Sequence, residues 1–295
     1  MINSATHTFF YLTRLSHHPK SDSKPDFFFY TEANMIRHLR ESQPDRITTE
    51  IAHFLAPLVI FPWGPLAMSY LGVPIVVGIV MVAVHDEDYP TACQKLKDSA
   101  FREIIPERTI PPDILTAIPD PDEALEEVKK EFQRLDRSTT TFEYPINHHL
   151  AGSVRLTLAP NSFANLPIPD MTGDVKQSTA STKGYDIYGN ICQPLEEALV
   201  ESFVKCVVDD KNDENAEFSG WGDRLSTWVA MMCGYLEVNN DILDSCRDER
   251  AVEWFSVNYG RIHEEKFGPL DRRVSKRLGS GHEMSVDMRG NPLPK

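Results

Sequence analysis

The chain has 295 residues, 41% hydrophobic and 25% charged, with 44 acidic against 30 basic side chains and a net charge of −14. That is enough apolar material for one large domain or two ordinary ones. The acidic balance opposes a broad nucleic-acid footprint, which needs a basic face, and equally opposes adsorption to anionic lipid; no nucleic-acid partner is expected.

Residues 1–44 are mixed in character and read as a partly ordered arm. Within them Phe27, Phe28, Phe29 and Tyr30 form an aromatic knot, either an added strand or a loose plug against the core. No charged segment leads into an apolar one at the start, so no signal peptide is expected. The five cysteines (Cys93, Cys192, Cys206, Cys233, Cys246) are odd in number and form no C-x-x-C. Neither a disulfide framework nor a zinc site is indicated, and a reducing, cytoplasmic compartment is the expectation. Cys93, Cys206 and Cys233 fall on apolar helical faces and are expected to be buried thiols.

Residues 54–84 carry no charged side chain and organise the rest. Such a run is long enough to cross a bilayer, which takes about 20 residues. Its one suitable window, from Leu66 to Val84, is broken by Pro74, and no basic cluster flanks either end. Parsing into short elements is favoured. Thr48 or Thr49 caps a helix through Ile51, Phe54 and Leu55, with Glu50 in its first turn. Residues 58–61 form a short strand. Trp63-Gly64-Pro65 is a turn, with Pro65 at the first position of a helix that Gly72 ends. Residues 75–84 form a long Val/Ile strand whose unbroken apolar character suits a strand covered on both faces. Asp86 or Asp88 starts the next helix.

Further on, residues 88–100 are helical in spacing and 101–105 form a strand, followed by a proline-rich connector over 109–121. Residues 122–136 read as an exposed helix with Glu126 placed to pair with Lys130. Residues 139–144 and 154–158 alternate as strands. Residues 161–182 read as loop, 194–209 as a helix with Glu196 and Glu197 in its first turn, and 209–217 as an acidic loop. Residues 221–236 and 249–267 read as two further helices. Residues 272–295 are expected to lack order. The plan is therefore an α/β domain over 45–185 and a helical subdomain over 190–268.

Residues 62–101 resemble the core of the nucleotidyltransferase fold. In that superfamily a strand delivers a small-residue turn, then a helix, then a strand carrying Asp-x-Asp. Trp63, Gly64, Ala67, Gly72, Val73 and Pro74 match the W-G-x-x-A-x-x-x-x-G-V-P phrase of fungal nucleotidyltransferase-like proteins. The resemblance implies an α/β (α+β) mixed sheet flanked by helices, followed by a helical C-terminal part, across about residues 45–265. It also implies a ligand groove near Trp63, Gly64, Ser69 and Gly78. The departures are chemical. Aligned with the family, the two metal-holding carboxylate positions are Gly78 and Val80, and neither ligates a cation. Residues 154–158 offer no third acid, and Pro65 has no N–H to give a phosphate. The implied protein is a degenerate nucleotidyltransferase-like pseudoenzyme that needs no cofactor and binds an unknown small molecule or protein. Two alternatives stand beside it: an active, magnesium-dependent transferase recruiting Asp86 or Asp88, and a membrane-anchored protein through residues 66–84.

Other groups point more weakly to chemistry. Asp86, Glu87 and Asp88 read more readily as a helix start than as a displaced metal cluster. His148-His149 is a candidate metal or acid–base pair, but adjacent residues at a strand end project oppositely and no Glu-x-x-His pattern supports it. His17-His18 is weaker still. Ser69 and Tyr70 read as helix packing, and Lys183-Gly184 lacks the spacing of a phosphate loop. Arg272, Arg273, Lys276 and Arg277 read as a solvated tail.

Overall fold

Asp45 starts the first helix. Its carboxylate accepts from the Thr48 backbone N–H (3.0 Å) and from the Thr48 hydroxyl (2.6 Å), capping helix α1, Arg46–Leu55. The cap is thus Asp45, with Thr48 buried as its donor rather than acting as the cap. Strand β1 (Ile60–Trp63) follows, then the Trp63-Gly64-Pro65 turn and helix α2 (Pro65–Tyr70). Gly64 has φ +61, a conformation that suits glycine. The end of α2 is a Schellman cap: Gly72, at φ +88, donates to Ser69 O and Val73 donates to Met68 O. Strand β2 (Ile79–Val84) is shorter than the expected 75–84, because residues 75–78 run irregularly at the surface, with Val76 69% exposed.

The structure, a computed structural model, describes residues 39–110, 112–168, 181–182, 184–211, 219–236, 238, 242–243, 245–259, 261–263, 274–278 and 282–286. The aromatic knot at Phe27 to Tyr30, His17-His18, Lys183, Arg272 and Arg273 lie outside the described residues. Helix α3 (Tyr89–Asp98) leads to β3 (Arg102–Ile104); α4 (Pro112–Leu115) interrupts the connector; α5 (Pro121–Glu131) and α6 (Gln133–Ser138) divide the single helix expected there. On α5, Glu126 pairs with Lys129 at 2.6 Å, one residue short of the expected Lys130. Next come β4 (Thr140–Glu143), β5 (Arg155–Pro160), the one-turn α7 (Asn161–Ala164) and β6 (Ser181–Thr182). A hairpin of β7 (Tyr185–Tyr188) and β8 (Ile191–Pro194) precedes α8 (Glu196–Lys211) and α9 (Gly220–Leu236). Helix α10 stops at Asn258 (Glu249–Asn258), and the chain continues as β9 (Arg261–His263), β10 (Val274–Leu278) and β11 (His282–Val286). The last two strands lie in the stretch expected to lack order.

The fold is mixed α/β. One eight-stranded sheet runs β3-β4-β5-β2-β1-β8-β7-β6, and a three-stranded sheet runs β11-β10-β9. Strand β2 is central: antiparallel to β1, with Trp63 opposite Met81, and parallel to β5, with Ile79 opposite Arg155. Because β2 is covered on both faces, its residues alternate between two cores. Val80, Val82 and Val84 join Ile51 and Leu55 of α1 and Ala92 and Leu96 of α3. Met81 and Ala83 join α2 and the helical layer of α8 and α9 on the other face. Within the 54–84 stretch, β2 owes its lack of charge to two-sided burial. Among the described residues no helix is long and apolar enough to cross a membrane, and residues 66–84 divide between α2, a loop and β2.

Strand β8 lies beside β1, with Ile60 opposite Ile191. Asn190 fastens that junction, its amide donating to Ala52 O (3.0 Å) and Leu58 O (2.9 Å). The sheet thus crosses the boundary drawn at residues 185–190.

Candidate functional site

The residues named by the resemblance are held in different settings. Trp63 is fully buried, and its indole N–H donates to Ser202 Oγ at 2.8 Å. Phe163, Phe203, Trp221 and Trp228 surround it at centroid distances of 5.9 to 6.3 Å. Gly64 is buried beneath α9: a Cβ there would sit 3.1 Å from both the Met81 sulfur and the Trp228 ring. Ser69 is exposed on α2, and Gly78 is exposed at the start of β2 with open space around it. Val80, the second aligned metal position, is fully buried against the α1 face.

Asp86 and Asp88 follow the C-terminal end of β2, while Gly64 and Gly78 lie at its other end. With about 3.3 Å of rise per strand residue, the six residues of β2 separate the two. Asp86 accepts the Ser162 backbone N–H at 2.8 Å, tying α7 to the β2–α3 connection. Asp88 stands at the N-cap of α3 without a side-chain bond there.

A different group converges around the His148-His149 pair, joined by a residue that spacing did not flag. Helix α1 presents Glu50, and the turn after β4 presents His148 and His149; one ligand atom from each lies within 4.8 Å of the others. The histidines sit in a turn rather than at a strand end, so their rings do not diverge: the centroids are 4.5 Å apart. Tyr144 stacks on His148 at 4.8 Å and 25°. Arg46, one helical turn before Glu50, donates to Glu50 Oε1 at 2.7 Å and holds its carboxyl below the usual carboxylate range. The other oxygen, Oε2, is buried, makes no hydrogen bond, and faces His148 Nε2 at 3.3 Å. The Tyr144 hydroxyl is also buried without a partner, and burial together with Glu50 and Asp45 pushes its pKa up. His148 Nδ1 accepts the Leu150 backbone N–H at 3.3 Å, which in the neutral ring puts the proton on Nε2. Chemically, the group offers two imidazoles, one ionised carboxylate and a neutral phenol. No spacing motif could reveal it, because Glu50 and His148 lie on separate elements.

Two further polar clusters are structural. Tyr70 donates to Asp186 (2.8 Å) and shares a hydrogen bond with Tyr188 (2.8 Å), whose hydroxyl reaches Ser42 O (3.0 Å); Arg40 pairs with Asp186. This clasp fastens residues 40–42 to α2 and β7. Arg134 lies 3.9 Å from Asp209 and 3.6 Å from the buried Asp210, bracing α6 against α8. Comparison of the chain with protein-family models, with curated proteins and with solved structures returns no match.

Proposed function

We propose that the chain is a degenerate nucleotidyltransferase-like protein, silent for metal-dependent transfer, that works as a protein-interaction module. One arrangement carries the reading. The order β1, Gly64 turn, α2, β2 follows the family's strand–turn–helix–strand layout, with β5 beside β2. The aligned acid positions on β2 are Gly78 and Val80, and β5 carries no carboxylate. A strand position filled by a buried valine holds no magnesium.

The packing over Gly64 argues against a nucleotide at the turn. Trp228 of α9 fills the space against the turn, and Pro65 withholds one of the backbone donors a phosphate would use. The active-transferase alternative would need Asp86 and Asp88 to act at the far end of β2 from that turn. Calorimetry with ATP, with and without Mg²⁺, tests the proposal. The expected result is no saturable heat; Mg²⁺-dependent ATP binding in the micromolar range would refute it.

A further inference from the structure

We propose that Glu50, His148 and His149 form a binding site for a divalent transition-metal ion of the zinc class. Two imidazole nitrogens and one carboxylate oxygen are a donor set for zinc, cobalt or nickel; magnesium and calcium take oxygen ligands instead. The donor atoms are already within 4.8 Å of one another. Around a tetrahedral ion with bonds of about 2.0–2.1 Å they would stand about 3.3–3.4 Å apart. Glu50 Oε2 and His148 Nε2 meet that spacing now, at 3.3 Å. The remaining closure falls to His149, which is exposed and sits in a turn, so a rotamer change supplies it.

An independent observation points to a ligand here. Two buried polar atoms, Glu50 Oε2 and the Tyr144 hydroxyl, lack hydrogen-bond partners among the described residues. Both belong to side chains packed around the His148 ring, Tyr144 by stacking and Glu50 across the 3.3 Å gap. A buried acceptor without a hydrogen bond is left with its desolvation cost. A cation bound to Oε2 relieves it, and a metal-bound water within reach of the phenol would satisfy the second group. Arg46 keeps the carboxylate ionised, the form that ligates.

Binding has a definite proton balance. In the neutral ring His148 carries its proton on Nε2, so ligation through that atom moves the proton to Nδ1. With Nδ1 protonated, the 3.3 Å contact from the Leu150 N–H is given up. Protons compete with the metal for the same ring nitrogens, so acid weakens binding, and the Leu150 amide environment changes on loading.

The test is titration of the full-length chain with Zn²⁺ by calorimetry and with Co²⁺ by visible absorption, at pH 7.5 and pH 5.5. The expected result is one equivalent bound at pH 7.5, at least 10-fold tighter than at pH 5.5, with cobalt bands of a four- or five-coordinate ion. His149→Ala is the primary variant, since its side chain is exposed and its removal should leave the circular dichroism spectrum unchanged. It should weaken binding at least 10-fold, and Glu50→Gln should do the same. Amide NMR should show the Leu150 resonance shifting with zinc. No binding by the wild-type chain, or undiminished binding by both variants, overturns the proposal, the second outcome placing the metal on other histidines. This proposal and the transferase-silent reading fail separately, since one is read with ATP and magnesium and the other with zinc alone.

Discussion

Replacing Ser202 by alanine should cost far more than the loss of one surface hydroxyl. Ser202 Oγ accepts the Trp63 indole N–H at 2.8 Å and donates to Ala164 O, and all of this happens at zero exposure. The variant leaves the indole N–H without an acceptor in a dry core, while Ala164 O keeps only the weak Cys206 thiol at 3.4 Å. One orphaned buried donor costs about 1–3 kcal/mol. For a chain of this size each kcal/mol lowers Tm by about 2–4 °C. A loss of about 2 kcal/mol, or about 4–8 °C, is the expectation. Trp63→Phe removes the donor as well as part of the packing. In that background Ser202→Ala should cost about 1 kcal/mol less than in the wild type, because no indole is left to orphan. Urea unfolding followed by far-ultraviolet circular dichroism reads all four corners of the cycle without depending on tryptophan emission. Effects that add within about 0.3 kcal/mol would refute the coupling. Near-neutral stability of Trp63→Phe would refute the core role and return Trp63 to the ligand groove that the resemblance implied.

Three other outcomes can be measured. Gly64→Ala combines a positive φ with a Cβ 3.1 Å from Met81 and Trp228; it should lose at least about 2 kcal/mol by urea unfolding, the sum of left-handed strain and overpacking. A loss under about 0.5 kcal/mol would contradict the packing described. For Glu50, the folded carboxyl lies below its ordinary 4.5 because Arg46 donates to it. Its contribution is present above pH 4.5 and disappears as pH falls through the folded value. Arg46→Gln should therefore flatten the loss of urea midpoint between pH 5 and pH 3, and an unchanged acid limb would count against the pairing. Burial pushes the Cys192 thiol up to about 11 and the Cys206 thiol up to about 12. At pH 8 a disulfide reagent should leave both unmodified in the native chain and react with them after unfolding; rapid native labelling of either, located by mass spectrometry, would show the core to be open.

Local chemistry made the first half of the sheet readable in the sequence. Pro65 and Gly72 bracket α2 because one lacks an N–H that a first helical residue does not need, and the other accepts positive φ. The uncharged run marked a strand with two covered faces, although no turn chemistry signals where β2 starts. Ile75, Val76 and Val77 read as strand because β-branched residues fit a pleat, whereas here they run along the surface without pairing. The β7–β8 hairpin, with its turn at Gly189-Asn190, went unread because its four-residue strands are too short for alternation to stand out, and residues 185–193 were assigned to no element. Burial of the thiols was half legible: Cys206 is buried as its helical face implies, Cys93 and Cys233 are half-buried, and Cys192 is buried on β8. Of the Glu50–His148–His149 group the histidine pair was legible as a weak candidate, while the part played by Glu50 was hidden for a topological reason. The members of the group are brought together only when α1 packs on the sheet end from which β4 departs, and linear spacing holds no trace of that meeting.

The neighbour relation between Ile60 and Ile191 sets a timetable for the nascent chain. When β1 emerges from the ribosome, the strand on its far side from β2 is about 130 residues from being made, and the rings of α8 and α9 that enclose Trp63 are further off still. Until α9 is synthesised, the middle of the sheet has one bare rim and one uncovered aromatic surface. Folding of this protein is consequently a late event in its synthesis, and an N-terminal piece ending near residue 185 is a sticky intermediate rather than a smaller version of the whole.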